Sequence, residues 1–128
     1  MPGRTDIPVQ SMSAWGGGKN DIAWTAGDAA NDHSFANCGG RCLLLMKNEN
    51  AASKTATVTG VAVPRTYNTA KTQTITAAGK GAAVCIVCCY GPFDPAVFEQ
   101  SDGTVQVDLT DATDVAFAVL LLPEMKKL

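Results

Sequence analysis

Short apolar or alternating runs, set apart by turn-forming residues at spacings of roughly eight to twelve residues, limit this chain to a narrow group of folds. No stretch carries the apolar repeat of a convincing amphipathic helix. The count comes to about eight strands, which is the pattern of an antiparallel sandwich or barrel. The expectation is an all-β fold: a single antiparallel β-sandwich, jelly-roll-like. An immunoglobulin-type sandwich is less suited, because Trp15 and Trp24 both precede Cys38, the first cysteine. No internal repeat points to a propeller or solenoid.

The run from Gly91 to Thr110, GPFDPAVFEQSDGTVQVDLT, has the clearest turn chemistry. Asp102-Gly103 predicts a two-residue hairpin turn, which sets Gln100 opposite Val105, Phe98 opposite Val107 and Ala96 opposite Leu109. One face is then mostly apolar, and the other carries Val97, Glu99, Gln106 and Asp108. Pro92 and Pro95 cannot donate to a ladder, so they mark entry from a corner or an edge. The stretch holds no nucleophile, general base or metal-ligand set.

Elsewhere the chain reads in order as follows. Residues 1–20 contain Pro2, Pro8 and the Gly16-Gly17-Gly18 run without a sustained period, and are expected to form an extended N-terminal arm. Its large apolar residues Ile7, Val9, Met12 and Trp15 are costly to leave in water, so the arm docks either on its own domain or on a neighbour. The sandwich is expected over 21–123, followed by a short charged tail over 124–128. Asp21 to Trp24 predicts a first short strand, and Thr25 to Gly40 reads as a loop. Cys42 to Met46 predicts a central strand, ended by Asn48-Glu49-Asn50. Lys54 to Val63 alternates, with a phase slip at Gly60 that predicts a bulge. Pro64 to Lys71 forms a polar connection in which Arg65 and Tyr67 are candidate contact residues. Thr72, Thr74 and Thr76 share a face opposite Ile75. The run Ala82 to Tyr90 predicts a buried strand, and Val115 to Leu122 a last buried strand stopped by Pro123.

Chemistry-bearing residues are few. Asp28, Asn31, Asp32 and His33 form a polar concentration, but no nucleophile sits at a recognisable spacing from His33, and Asx-turn chemistry accounts for Asn31 and Asp32. The five cysteines, Cys38, Cys42, Cys85, Cys88 and Cys89, are an odd set with no secretion signal, which argues against a disulfide framework. Cys85 and Cys88 have zinc-like spacing yet would point to opposite faces of a strand. They read as small buried hydrophobes. The alternative is a mixed metal site of Cys38, Cys42, His33 and a later cysteine. No catalytic residue, metal ligand or cofactor is assigned.

At 128 residues the chain is long enough for one domain with a core of its own. A net charge of -2 and scattered Lys and Arg argue against direct nucleic-acid binding. No apolar run is long enough to span a bilayer, and no signal-type segment opens the chain, so a soluble protein made in a cytosol, with no membrane partner, is expected.

The segments GDAANDHSFAN (27–37), CLLLMKN (42–48), ITAAGKGA (75–82) and GPFDPAVFEQSDGTVQVDL (91–109), in this order, resemble small head proteins of tailed bacteriophages, the capsid decoration or cement proteins. The resemblance covers roughly residues 25 to 122 and rests on turn and strand patterns. It implies a jelly-roll fold, assembly as a small homo-oligomer, commonly a trimer, and contact with the major capsid protein on the capsid exterior of the virion. It implies terminal arms that reach between subunits, and no active site or cofactor. The cysteines depart from that pattern. On this reading Ile7, Val9, Met12, Trp15, Arg65 and Tyr67 are the candidate partner contacts. The alternative is a ligand- or carbohydrate-binding β-sandwich module of a phage tail or fibre, which calls for aromatic side chains lined along one sheet face. A small enzyme or metalloprotein built on His33 and the cysteines would need them to converge in space.

Overall fold

A computed structural model describes residues 3–12, 21–61, 72–79 and 86–123. In chain order its strands are β1 (Thr5–Asp6), β2 (Val9–Ser11), β3 (Thr25–Ala26), β4 (His33–Ala36), β5 (Cys42–Asn48), β6 (Lys54–Thr59), β7 (Thr72–Ala77), β8 (Ile86–Tyr90), β9 (Thr104–Leu109) and β10 (Val115–Leu121). A single-turn 3-10 helix, Cys38–Gly40, precedes β5, and one short helix, α1 (Pro95–Phe98), precedes β9.

The strands form two mixed sheets. In the first the order is β1-β4-β9-β6-β7, and in the second β2-β10-β5-β8, with β3 also paired to β10. Every pairing is antiparallel except β1 with β4 and β2 with β10. Side chains alternate across a strand, so each sheet turns one set inward. Phe35, Val58, Ile75, Val105 and Val107 from the first sheet meet Leu44, Met46, Phe117 and Val119 from the second in one continuous buried cluster. On the outer side of β6 and β7, Thr55, Thr57 and Thr59 stand opposite Thr76, Thr74 and Thr72. Branched hydroxyl residues suit a pleated surface that faces water on one side.

The central strands follow the sequence reading. β5 covers Cys42–Asn48 and β10 covers Val115–Leu121, paired over their full lengths from Val115 with Asn48 to Leu121 with Cys42. Asn48 is fully buried and accounts for the end of β5: its side-chain amide donates to the carbonyls of Ala52, Ala77 and Ala78, and its oxygen accepts from the Asn50 N–H. Gly79 lies against this turn, where a Cβ would run into the Ala51 carbonyl.

The structure decides one open alternative and corrects several expectations. Over its described part the N-terminal segment docks on its own domain, one of the two expected alternatives. Thr5 and Ile7 donate backbone hydrogen bonds to Asp32 and Ser34 at 2.9 Å each, and Met12 donates to Leu121 at 3.1 Å. The free edges of β4 and β10 need partners, and this segment supplies one to each. Between the two pairings Ile7 enters the core and is 1 % exposed. β2 and β3 divide the outer edge of β10, β2 along Val119–Leu121 and β3 along Ala116–Phe117. The Gln10 side chain ties the two, donating to the Ala23 carbonyl and accepting from the Ala23 N–H, both at 2.8 Å.

The 91–110 hairpin does not form. Asp94 caps α1 by accepting from the Ala96 N–H at 2.9 Å, and Pro95 occupies the first turn, where its missing N–H costs nothing. Phe98 packs edge-on against Phe93, with ring centroids 5.7 Å apart. β9 pairs instead with β4 and β6, so that Val107 lies between His33 and Val58. The Asp102-Gly103 turn survives locally: Gln100 donates to Thr104 at 2.7 Å, and Gly103 takes a φ of +82°, which suits glycine.

The segment expected as loop over 25–40 contains β3 and β4, whereas Asp21 to Trp24 is not a strand. β6 stops at Thr59, after which Val61 donates to the Val97 carbonyl at 2.7 Å, and the end of the expected bulged strand, 62–63, lies outside the described residues. Over its described part, Ile86–Tyr90, the cysteine-rich strand is not buried. β8 is the edge of the second sheet, its exposure alternates, and Val87 is 51 % exposed.

Replacing Ile7 with Ala should cost about 2–5 kcal/mol in equilibrium denaturant unfolding, the range for emptying a buried aliphatic site. A midpoint equal to wild type would show that Ile7 is not part of the core. Gly79→Ala should also lower the midpoint, because the new methyl meets backbone that cannot swing aside.

Candidate functional site

The polar residues of 28–33 build a corner, and β1 closes it. The Asp28 carboxylate accepts from the Thr5 hydroxyl at 2.6 Å, from the Asn31 side-chain amide at 3.0 Å, and from the backbone N–H groups of Ala30 and Asn31 at 3.1 Å each. These donors, the Thr5 hydroxyl foremost, favour the ionised form and bring the Asp28 pKa down to about 2. Asp32 has a φ of +59°, a conformation that aspartate tolerates better than most residues, and its carboxylate accepts from the Leu109 N–H at 2.8 Å.

His33 faces the core. Its side chain is fully buried, and Nε2 accepts from the Asp28 N–H at 2.9 Å, so the neutral ring carries its proton on Nδ1. Nδ1 is buried without a hydrogen bond, and the ring meets Phe117 edge-on with centroids 4.9 Å apart. Burial pushes the imidazole pKa below its ordinary 6.5 and outweighs the opposing pull of Asp28, the Thr5 backbone and Asp32; Arg4 acts in the same direction as burial. Ser34 follows His33 on β4 and points to the other face, so the imidazole and this hydroxyl cannot pair as base and nucleophile.

Outside this corner, a groove of about 540 Å³ runs over the outer face of the first sheet. Arg4, Asn31, Ser34, Asp102, Thr104 and Gln106 are among its lining residues. Arg4 is held by the Asp108 carboxylate at 2.6 Å and the His33 carbonyl at 3.1 Å. Such a surface offers hydrogen bonds of both senses and one anchored cation. Sequence reasoning had no route to it, because Arg4 and Asp108 are 104 residues apart in sequence. The alternation of polar residues along β4 and β9 was the available signal, but it fixes a solvent face, not a groove.

The outer face of the second sheet is apolar. Leu45, Ala118 and Leu120 form a second buried cluster beneath Met12, Ile22 and Trp24, which are half-buried. The Lys47 ammonium sits 4.7 Å from the Trp24 ring centroid, a cation–π contact. Val87 and Cys89 are exposed on β8 of the same sheet.

The six expected contact residues are dispersed. Ile7 is sealed in the core and cannot touch a partner, because its burial supports the crossing between the sheets. Val9 is half-buried against the main cluster, and Met12 against the second. Trp15, Arg65 and Tyr67 lie outside the described residues. Among the described cysteines Cys42 is buried, Cys88 half-buried, and Cys38 and Cys89 exposed; Cys85 lies outside the described residues. The reading of all five as buried is thus corrected for Cys38 and Cys89. Among the described residues no three His, Cys, Asp or Glu side chains converge as a metal-ligand set. No helix there is long and apolar enough to cross a membrane.

Comparison of the chain with protein-family models, with curated proteins and with solved structures finds no match.

The lowered His33 pKa fixes a sign. Its contribution to stability is fully present above pH 6.5 and is lost as pH falls through the lower folded value. Asp28 acts in the same direction at lower pH: its contribution is present above 3.8 and lost as pH falls towards about 2. The His33 imidazole, followed by NMR, should titrate with a midpoint below 6.5, and unfolding free energy should fall as the solution is taken from pH 7 to pH 5. A midpoint at or above 6.5 would contradict the buried, neutral assignment.

Proposed function

We propose that this protein is a structural component of a tailed-bacteriophage virion, which decorates or cements the capsid by binding the major capsid protein. It acts as a small oligomer, with a trimer favoured, and is not an enzyme. The observation that carries the reading is the strand order. With the N-terminal β1 and β2 set aside, the remaining eight strands are all antiparallel neighbours in the orders β3-β10-β5-β8 and β4-β9-β6-β7. That order supports a jelly roll, the fold that the resemblance of residues 25–122 implies. On this reading β1 and β2, the source of both parallel pairings, are additions at its edges.

The binding face is then the outer side of the second sheet, where Val87 is exposed and Met12 and Trp24 are half-buried. Exposed apolar side chains that cluster on one face mark protein contact, and Val87 is the large exposed hydrophobic among the described residues. Many weak contacts repeated over a capsid lattice gain strength by avidity. Removal of residues 1–20 is a poor probe of that contact, since it also removes β1, β2 and Ile7.

The polar groove favours a second reading, a module that binds a polyhydroxylated ligand such as a glycan. The aromatic platform expected for such a module is not found among the described residues: Trp24 lies beneath Lys47, and the Tyr90 hydroxyl donates to the Thr76 carbonyl at 2.7 Å.

In co-sedimentation with capsids, the wild-type chain should bind, and Val87→Asp should weaken binding about tenfold or more while the melting temperature stays within a few degrees. Equal binding by the two would remove the second sheet's outer face from the interface. Glycan-array binding abolished by Gln106→Ala, with no capsid binding by wild type, would favour the second reading.

A further inference from the structure

The connection from β4 to β5 brings two thiols together. After Ala36 the chain turns through Asn37 and the single-turn helix Cys38–Gly40, closed by the Gly40 N–H donating to the Asn37 carbonyl at 3.0 Å. Cys38, Gly39 and Gly40 all take positive φ, at 50°, 72° and 84°. This winding folds the turn back on the start of β5. Cys42, fully buried, points its Sγ into the turn and donates to the Ala36 carbonyl at 3.3 Å. The exposed Cys38 thiol, four residues earlier on the same turn, is its side-chain neighbour. One thiol is thus open to solvent, and its neighbour is shielded behind it.

We propose that Cys38 and Cys42 are a redox-active dithiol, which a low-molecular-weight disulfide oxidises to an intramolecular Cys38–Cys42 disulfide. The Cys38 thiolate attacks one sulfur of the reagent disulfide, forms a mixed disulfide and releases one reagent thiolate. The Cys42 thiol gives its proton to solvent, and its sulfur then attacks the Cys38 sulfur and expels the second reagent thiolate. Two protein thiols are oxidised by two electrons, the reagent disulfide is reduced to two thiols, and the two thiol protons balance the two thiolates released.

The order of events follows from the surroundings. Cys38 is the accessible nucleophile and Cys42 the resolving one. Burial holds the Cys42 thiol pKa up at about 12, and the adjacent Cys38 adds to this, so the resolving step is the slower and quickens with pH. The bond would staple a turn that also locks one end of the fold. Buried Asn37 donates from its side chain to the Phe93 carbonyl at 3.1 Å and to Glu99 at 3.3 Å, and Arg41 exchanges hydrogen bonds with Leu122. Oxidation therefore acts on the corner where α1, the 3-10 turn and the end of β10 meet, independently of any capsid contact.

The test uses the full chain and a Cys85→Ser, Cys88→Ala, Cys89→Ser variant that leaves only the proposed pair, each incubated with oxidised glutathione at graded ratios. Free thiols are then alkylated under denaturing conditions and peptides are mapped by mass without reduction. The expected result is joint loss of the Cys38 and Cys42 thiols as one linked peptide, reversed by dithiothreitol. Its resolving step should speed up about tenfold per pH unit while Cys42 remains mostly protonated. Cys42→Ala should instead trap glutathione on Cys38. A wild-type chain in which Cys38 keeps glutathione while Cys42 stays alkylatable would overturn the proposal. So would a pair that remains reduced at ratios that load Cys38 of Cys42→Ala; if that variant fails to fold, a pair left reduced at every ratio in the Cys85, Cys88, Cys89 variant overturns the proposal equally.

Discussion

The burial of Ile7 between two backbone pairings is the constraint on which the two-sheet body depends. Thr5 and Asp6 pair with β4 in one sheet, Val9 to Ser11 pair with β10 in the other, and Ile7 fills the core between them at 1 % exposure. A segment that enters both sheets acts as a strap across one side of the body. It also closes the corner that sets the states of His33 and Asp28, since the Thr5 hydroxyl is a donor to Asp28 and Arg4 is anchored beside Asp108. Edge pairing, core packing and local electrostatics at this corner therefore depend on the same few residues.

Much of the β architecture was legible in the sequence. Cys42 to Met46 and Val115 to Leu121 are apolar on both faces because each is flanked by strands and covered on both sides, by the main core and by the cluster under Met12, Ile22 and Trp24. Lys54 to Thr59 and Thr72 to Ala77 alternate because one side is core and the other water. The 91–110 stretch misled for a physical reason: its two halves alternate compatibly, but Asp94-Pro95 starts a helical turn, and β9 gains more by pairing with β4 and β6 on both edges than with one local neighbour. Parallel pairing of short N-terminal strands leaves no local signal, because partner and register are set by residues far along the chain.

The candidate site was less legible still. His33 looked like a loop polar group but sits on a strand with its ring in the core, where a backbone N–H supplies its one hydrogen bond. The polar concentration around it is structural: Asp28 satisfies the donors of its own turn and of Thr5, and Asp32 satisfies the end of β9. Surfaces suited to binding lie elsewhere, on the outer faces of the two sheets, one polar and grooved and the other apolar. Which residues share such a face is decided by long-range register, so the six contact residues inferred from local composition scatter across core, edge and segments outside the described residues.

Residue-resolved amide hydrogen exchange over the N-terminal segment tests the strap most directly. The amides of Thr5, Ile7 and Met12, which donate to Asp32, Ser34 and Leu121, should exchange at rates close to those of the β5 and β10 interior. Exchange of these three amides at the rate of an unstructured peptide, with β5 and β10 still protected, would contradict the account and leave the segment undocked from its own domain.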